Sequence, residues 1–389
     1  MKKIIFCLQS MILGGVEKEL ITILKQIHGI YDITVLLMYQ EDMSIIKDIP
    51  DNVKVKILNI EKNYYCSNTV EIIKQRVKKG HLIQALSIAV KKIFKIGMTS
   101  SNTNIDDVPV LYDEYDTAIC YHIHSPLMLK YVATKINARK KIGWIHNDFY
   151  ASGYPIQRLK KFVVQYYEFV AVSKKVENEF RTLCHWYEGG ISTAHNYLND
   201  KEIIELSKET IDESIYLDEK KVRILTVGRF SEQKGIDMAI QVCSMLKNAD
   251  LEFHWFLIGY GELENSYRQL IKELDVENYY TILGKKHNPY PYIRNCDICV
   301  QPSRHEAYPL VIMEAKILKK PIICTNFDGA DEQIDSYRNG IIVPLGDTEA
   351  LCKEISKLIM YPELRENLTA ELSKWKPGDD LKEIVKHFE

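Results

Sequence analysis

Short apolar runs alternate with helix-like stretches along this chain, and the alternation stops once and then starts again. Lys3 to Leu8, Ile33 to Leu37 and Val53 to Leu58 are the first three runs. Thr117 to Tyr121, Lys141 to Ile145 and Phe169 to Val172 follow. Runs this short and this rich in β-branched and aromatic residues read as strands, while Val16 to Ile27 repeats its apolar residues at helical spacing. Such an order predicts an α/β fold with mainly parallel sheets, because parallel neighbours need a crossover, usually a helix. A polar, acid-rich span from Asn199 to Lys221 interrupts the rhythm and reads as a linker. The pattern resumes at Val222 to Val227 and runs through Phe253 to Ile258, Tyr280 to Leu283, Ile298 to Val300, Pro321 to Cys324 and Gly340 to Val343. Two such units within 389 residues place a cleft between the carboxyl ends of their sheets. The expected divisions are 1–205, 206–361 and a helical tail, 362–389, that crosses back to the first unit.

Composition narrows the function. The 46% hydrophobic content is that of a globular chain, and a formal charge of -2 gives no reason to expect nucleic acid as a partner. The nine cysteines lack metal-ligand spacing apart from Cys296-Asp297-Ile298-Cys299, which reads as buried thiols in a strand. The opening MKKIIFCLQSMILGG has an apolar run interrupted by Gln9 and Ser10, so it reads as a strand and glycine turn rather than a secretory signal. With no apolar run of about 18 residues, no spanning helix is expected, and a reducing, cytoplasmic location follows.

The stretch Ser303 to Thr325, SRHEAYPLVIMEAKILKKPIICT, carries the most chemistry. Glu306 lies on the loop leaving a strand, Pro309 suits a first helical position, and Leu310 and Val311 then offer unpaired backbone N–H groups to an anion. Glu314 follows one turn later and can accept from a diol. A carboxylate, a phosphate-sized positive end and a second carboxylate in line suit a sugar, a diphosphate and a ribose; a solvated loop acid and a helix acid have the same spacing. Gly228-Arg229 and Lys234 follow the first strand of the second unit, offering a guanidinium fork and a mobile ammonium to phosphate. Gly14-Gly15 stands at a strand-to-helix turn where backbone amides meet phosphate or hydroxyl groups. His146 closes another strand, while His122 and His124 alternate as they would on one strand face; a metal there lacks a third ligand, and none is expected. No D-x-D triplet occurs anywhere, which favours phosphate held by basic groups rather than by a bound ion.

Together these motifs resemble family 4 glycosyltransferases, retaining enzymes of GT-B architecture: two Rossmann-like domains facing each other across a cleft. The resemblance is strongest from Arg223 to Leu345 and weakest from Tyr39 to Tyr112. It implies an acceptor-side first domain and a nucleotide-sugar-binding second domain. Glu306 and Glu314 match the family's E-x7-E pair, the first meeting the donor hexose and the second the ribose hydroxyls. Arg229 and Lys234 match the diphosphate-binding pair, with Gly228 beside them, and Leu310 and Val311 match the amides on the distal phosphate. Gly14 and Gly15 match the amino-terminal glycine loop, His146 the histidine beside the transferred sugar, and Asn196 an asparagine turn before the linker. Ala307, and Gly329 to Glu332, depart from the usual glycine-rich pattern.

The implied activity is transfer of a hexose or N-acetylhexosamine from a UDP- or GDP-sugar to a glycan or lipid-linked saccharide, in surface polysaccharide synthesis, with no cofactor beyond the donor. The alternatives are a nucleotide-sugar epimerase, a phosphorylase, or a non-catalytic subunit of the same fold. A basic stretch, 72–98, has seven Lys or Arg residues and no acid, with Leu82, Leu86, Ile93 and Ile96 at helical spacing. It reads either as a packed helix with a solvated basic face or as a reversible contact with anionic lipid on the inner face of the plasma membrane.

Overall fold

The computed structural model describes residues 1–12, 14–40, 43–60, 105, 108–211 and 221–389. The basic stretch 72–98 lies outside them.

Two parallel sheets form the framework. The first has the order β3-β2-β1-β4-β5-β6-β7. Its strands are β1 (Lys3–Leu8), β2 (Asp32–Leu37), β3 (Lys54–Ile57), β4 (Leu111–Cys120), β5 (Ile136–Ile145), β6 (Glu168–Ala171) and β7 (Gly190–Thr193). The second has the order β10-β9-β8-β11-β12-β13. Its strands are β8 (Val222–Val227), β9 (Phe253–Ile258), β10 (Tyr280–Gly284), β11 (Ile298–Gln301), β12 (Ile322–Thr325) and β13 (Ile341–Val343). In each sheet the order reverses beside the opening strand, at β1/β4 and at β8/β11, which is where open α/β sheets leave a crevice.

Three differences from the sequence reading have local causes. Strand β7 goes unread because Gly190-Ile191-Ser192-Thr193 is short and lies at the sheet edge, without the apolar character of a buried strand. Tyr121 to His124 is a turn, not a strand face. Ser125 there caps the helix Pro126–Lys135, its side chain accepting from Met128 N, so the chain must leave the sheet at Cys120. Pro309 is the cap of its helix rather than the first helical residue: its backbone is extended, with φ -68 and ψ 127, and the helix is Leu310–Ile317.

The first sheet and its helices share one core, in which Phe6, Tyr121, Trp144 and Phe169 are fully buried. Phe388 belongs to this same core although it lies near the carboxyl end of the chain. Its ring meets Phe6 edge-on with centroids 5.6 Å apart, and Lys140 Nζ donates to His387 O at 2.9 Å. Burial of such a ring contributes about 2 kcal/mol, enough to hold the helix Asp380–Lys386 against the first domain. In the other direction, Leu198 and Ile203 pack with Leu225 and Phe256 of the second sheet, so the polar connecting span contains a helix, Asp200–Leu206, docked on the second domain.

Two glycines bring the loops of the second sheet together. Gly235 has φ +61, and a Cβ there would stand 2.0 Å from Pro302 O. A Cβ on Gly259 would stand 1.9 Å from Gly228 O. Only glycine permits both approaches, which set the loop after β8 against the loops after β11 and β9.

Candidate active site

The loops at the carboxyl ends of both sheets line a cavity of about 360 Å³ between the domains. From the first domain come Gly14, Gly15, Glu17, Lys18, His146 and Asn196. From the second come Gly228, Arg229, Lys234, Glu306, Leu310, Val311 and Glu314. Thus the first- and second-domain residues singled out in the sequence share one cavity, of the size that holds small ligands.

Glu306 gathers three donors on one oxygen. Its Oε1 accepts from Lys234 Nζ at 2.5 Å, Ser303 Oγ at 2.8 Å and Gln301 Nε2 at 3.1 Å. Strand β11 supplies Gln301 and the loop after it supplies Ser303, so the carboxylate is oriented by its own segment and neutralised by the loop after β8. The residue is only 7% exposed, and a charge so buried persists because it is paired and hydrogen-bonded. The lysine stem runs alongside Gly228: a Cβ there would lie in ordinary contact with Lys234 Cγ and Cδ, at 3.5 Å.

Arg229 differs. Its guanidinium is exposed and reaches Glu262 at 3.5 Å, an open surface pair of little worth that can be exchanged for a ligand anion. Glu314 is buried on the helix Leu310–Ile317; burial raises its carboxyl above the usual range, while the Lys18 charge and the Tyr290 hydroxyl act in the opposite direction. Leu310 opens that helix and faces the other domain, with Leu310 Cδ1 3.5 Å from the place a Cβ would occupy on Gly15. The two helix starts, Gly15 and Leu310, therefore meet across the cavity.

His146 follows β5 and has both ring nitrogens buried without a hydrogen-bond partner among the described residues. Burial holds its pKa well below the ordinary histidine value, so the imidazole is neutral, and Glu19 Oε2 lies 3.7 Å from Nδ1. A buried polar ring with no partner is costly unless something else meets it. Asn196 Oδ1 is likewise unpartnered among the described residues, while Asn196 Nδ2 donates to Tyr308 O at 2.8 Å and ties the two domains.

Several groups escape a reading by motif. Glu17 and Glu19 lie on the first helix, Gly15–Ile27, and both are buried with raised carboxyl pKa values, to about 7 and about 8, chiefly by desolvation. The signal available was the acid three residues after Gly14, the spacing of a capping box. Glu332, in the segment that departs from the family pattern, accepts from Lys174 N at 2.8 Å and Lys175 N at 3.0 Å. It thereby caps the helix Lys174–Leu183 of the opposite domain. His122 and His124 do not share a strand face, and among the described residues no three His, Cys, Asp or Glu side chains group as a metal site. Cys296 and Cys299 are buried free thiols with sulfurs 3.4 Å apart, Cys299 in β11 and Cys296 before it.

Residues 207–375 match the family described as Glycosyl transferases group 1. The architecture is GT-B. Among solved structures it resembles Anabaena HepE in complex with UDP and glucose, with a TM-score of 0.70, 17% identity and coverage of 100% of this chain and 99% of that one. It also resembles a mutant of Staphylococcus aureus TarM in complex with UDP and two further ligands, with a TM-score of 0.69, 14% identity and complete coverage of both chains. In sequence it is 32% identical over 145 residues to the amylovoran biosynthesis glycosyltransferase AmsK of Erwinia amylovora, covering 35% of this chain and 36% of that protein. It is 32% identical over 143 residues to the capsular polysaccharide biosynthesis glycosyltransferase CapM of Staphylococcus aureus, covering 36% and 38%. The alignments thus span little more than a third of these relatives' lengths. No helix among the described residues is long and apolar enough to cross a membrane.

Proposed function

We propose that this chain is a retaining, family 4-like glycosyltransferase that moves a hexose or N-acetylhexosamine from a UDP- or GDP-sugar to a saccharide or lipid-linked saccharide acceptor. The observation that carries the reading is the part-buried Lys234–Glu306 pair, held 2.5 Å apart in an interdomain cavity that Glu314 and Arg229 also line. The names of AmsK and CapM support a place in polysaccharide biosynthesis, and the UDP and glucose bound to HepE support a nucleotide-sugar donor.

In this mechanism the sugar C1–oxygen bond breaks and its electron pair stays on the leaving phosphate. Arg229, Lys234 and the amides of Leu310 and Val311 stabilise that growing charge, a preorganised electrostatic effect. Glu306 holds the sugar hydroxyls and is not the nucleophile. The incoming acceptor oxygen bonds to C1 on the face the phosphate leaves, and its proton passes to the phosphate, so configuration is retained. His146 offers its unpartnered ring nitrogens to the sugar, and Glu314 binds the ribose diol. Closing the domains keeps water from the activated donor.

Mass spectrometry of the purified chain with a panel of UDP- and GDP-sugars and saccharide acceptors, with the product anomer read by NMR, tests this. Transfer to an acceptor with the donor's anomeric configuration kept is the expected result. Turnover of donor without acceptor would point to an epimerase, a need for orthophosphate in place of a nucleotide to a phosphorylase, and donor binding without any turnover to a non-catalytic subunit. The same assay addresses metal. Transfer is expected to survive EDTA treatment and dialysis, since basic side chains and helix-start amides answer the phosphate charge; complete loss restored by magnesium or manganese would refute this.

We further propose a cytoplasmic enzyme that touches the inner face of the plasma membrane through the basic stretch 72–98. Each Lys or Arg near an anionic surface contributes about 1 kcal/mol, and salt screens it. Co-sedimentation with phosphatidylserine vesicles at low salt and release at high salt are expected, with binding reduced when Lys78, Lys79, Lys91 and Lys92 are changed to Gln. A wild-type protein that ignores such vesicles at low salt would end the lipid reading.

A further inference from the structure

Glu17 occupies the third position of the first helix, and its carboxylate folds back over the glycine turn. A Cβ on Gly14 would stand 2.7 Å from Glu17 Oε2. A carboxylate at that place is stabilised by the unpaired amides and positive end of the helix, the same features expected to receive a ligand phosphate. The side chain is buried, yet the residue lines the interdomain cavity.

Among the described residues the charges around it are few. Arg229, across the cavity, is the cation whose field reaches it. On the turn after β4, His122 Nε2 lies 3.7 Å from Glu17 Oε1, but burial lowers that imidazole to about 4, so it is neutral near pH 7 and forms no ion pair. On its own helix, Lys18 leans away, with Nζ 5.6 Å from the centre of the Tyr290 ring, and its charge acts on Glu314. Glu19 and His146 face each other deeper in the fold, 3.7 Å apart.

A diphosphate entering this cavity changes the surroundings of Glu17 twice, with the same sign. It engages Arg229, the cation that favours the ionised carboxylate, and it adds negative charge of its own. We propose that Glu17 takes up a proton when a nucleoside diphosphate enters the cleft, so that the bound anion and a charged Glu17 exclude each other. The proton comes from the solvent, and no covalent bond changes. This inference rests on the donor reading above.

The empty cleft is poised for such uptake. Burial brings the Glu17 carboxyl up to about 7, against the lowering by backbone hydrogen bonds and then by Arg229, so the group is largely ionised at pH 8. Ligand entry that cancels the Arg229 effect raises it further, and affinity therefore falls as pH rises above 7. At pH 8 a terminal phosphate, whose second pKa is about 6, is already deprotonated and contributes no proton of its own.

Isothermal titration of the full chain with uridine diphosphate and with guanosine diphosphate, in two buffers of different ionisation enthalpy at pH 8, counts the protons. Uptake of roughly half to one proton is expected, with affinity falling about fivefold between pH 7.5 and 8.5. Glu17→Gln is expected to bind without uptake, with no such pH dependence, and more tightly than wild type at pH 8.5. Arg229→Gln, at an exposed position, is expected to bind more weakly and with less uptake, because Glu17 then carries more of its proton before the ligand arrives. Wild-type binding without proton uptake, or undiminished uptake in either variant, overturns the inference and leaves the donor reading standing. Failure of the wild type to bind either diphosphate overturns both.

Discussion

Glu306→Gln is expected to lower kcat by about 10²- to 10³-fold while the chain stays folded. This is the size of effect that follows loss of one oriented electrostatic contact in an enclosed site. The carboxylate gathers Lys234, Ser303 and Gln301 on one oxygen, at 2.5, 2.8 and 3.1 Å. A glutamine keeps a carbonyl oxygen for those donors but removes the charge that fixes the lysine and accepts the sugar hydroxyls. The loss in stability should be about 2 kcal/mol, the worth of one hydrogen bond to a charged partner, and so a shift of several degrees at most in a chain this long. Steady-state rates with the donor found by screening, alongside thermal melts of both proteins, check this. An unchanged kcat would remove Glu306 from the chemistry, and a collapsed melt would make it a folding residue instead.

Replacing Lys234 or Arg229 with Ala should weaken binding of the nucleoside diphosphate while leaving the nucleoside alone nearly unaffected. Lys234 is expected to show the larger loss, about 30-fold, which corresponds to about 2 kcal/mol for a charged hydrogen bond in a half-enclosed site. Its ammonium is held beside the cavity by Glu306, so little conformational entropy is lost when phosphate arrives. Arg229 is exposed and must give up Glu262, so its loss should be smaller and should shrink further at high salt. Lys234→Ala also leaves Glu306 without its cation, so its melting temperature is measured in parallel. Titration calorimetry with diphosphate and nucleoside separates the two contributions. Equal losses for both ligands would mean that these side chains do not read the phosphates.

The strand pattern and the two-unit order were legible in the sequence because they depend on local periodicity. Val222 to Val227 and Phe253 to Ile258 read as strands, and both are strands. The E-x7-E pair and the basic loop were equally legible, since each follows a strand closely and strand ends in a parallel sheet all face the same crevice. Strand β7 was not legible, being four residues at an edge. The turn at Tyr121 to His124 was misread because alternation alone resembles a strand, while the cap at Ser125 that ends it acts through one hydrogen bond.

What the folded chain decided were the relations between segments far apart in sequence. Whether Lys234 meets Glu306 depends on Gly235 passing so near Pro302 that a Cβ would stand 2.0 Å from its carbonyl oxygen, a close approach between loops from β8 and β11. Glu332 reads as a variant of a glycine-rich turn, but in the fold it caps a helix of the other domain. No motif in the sequence marks Glu17 or Glu19, whereas in the fold both lie buried at the cleft beside His122 and His146, and that burial raises their carboxyls to about 7 and about 8. Periodicity and motif spacing are properties of neighbours along the chain, and they place residues on elements. Desolvation and charge pairing are properties of neighbours in space, and they appear only once the two sheets close on each other.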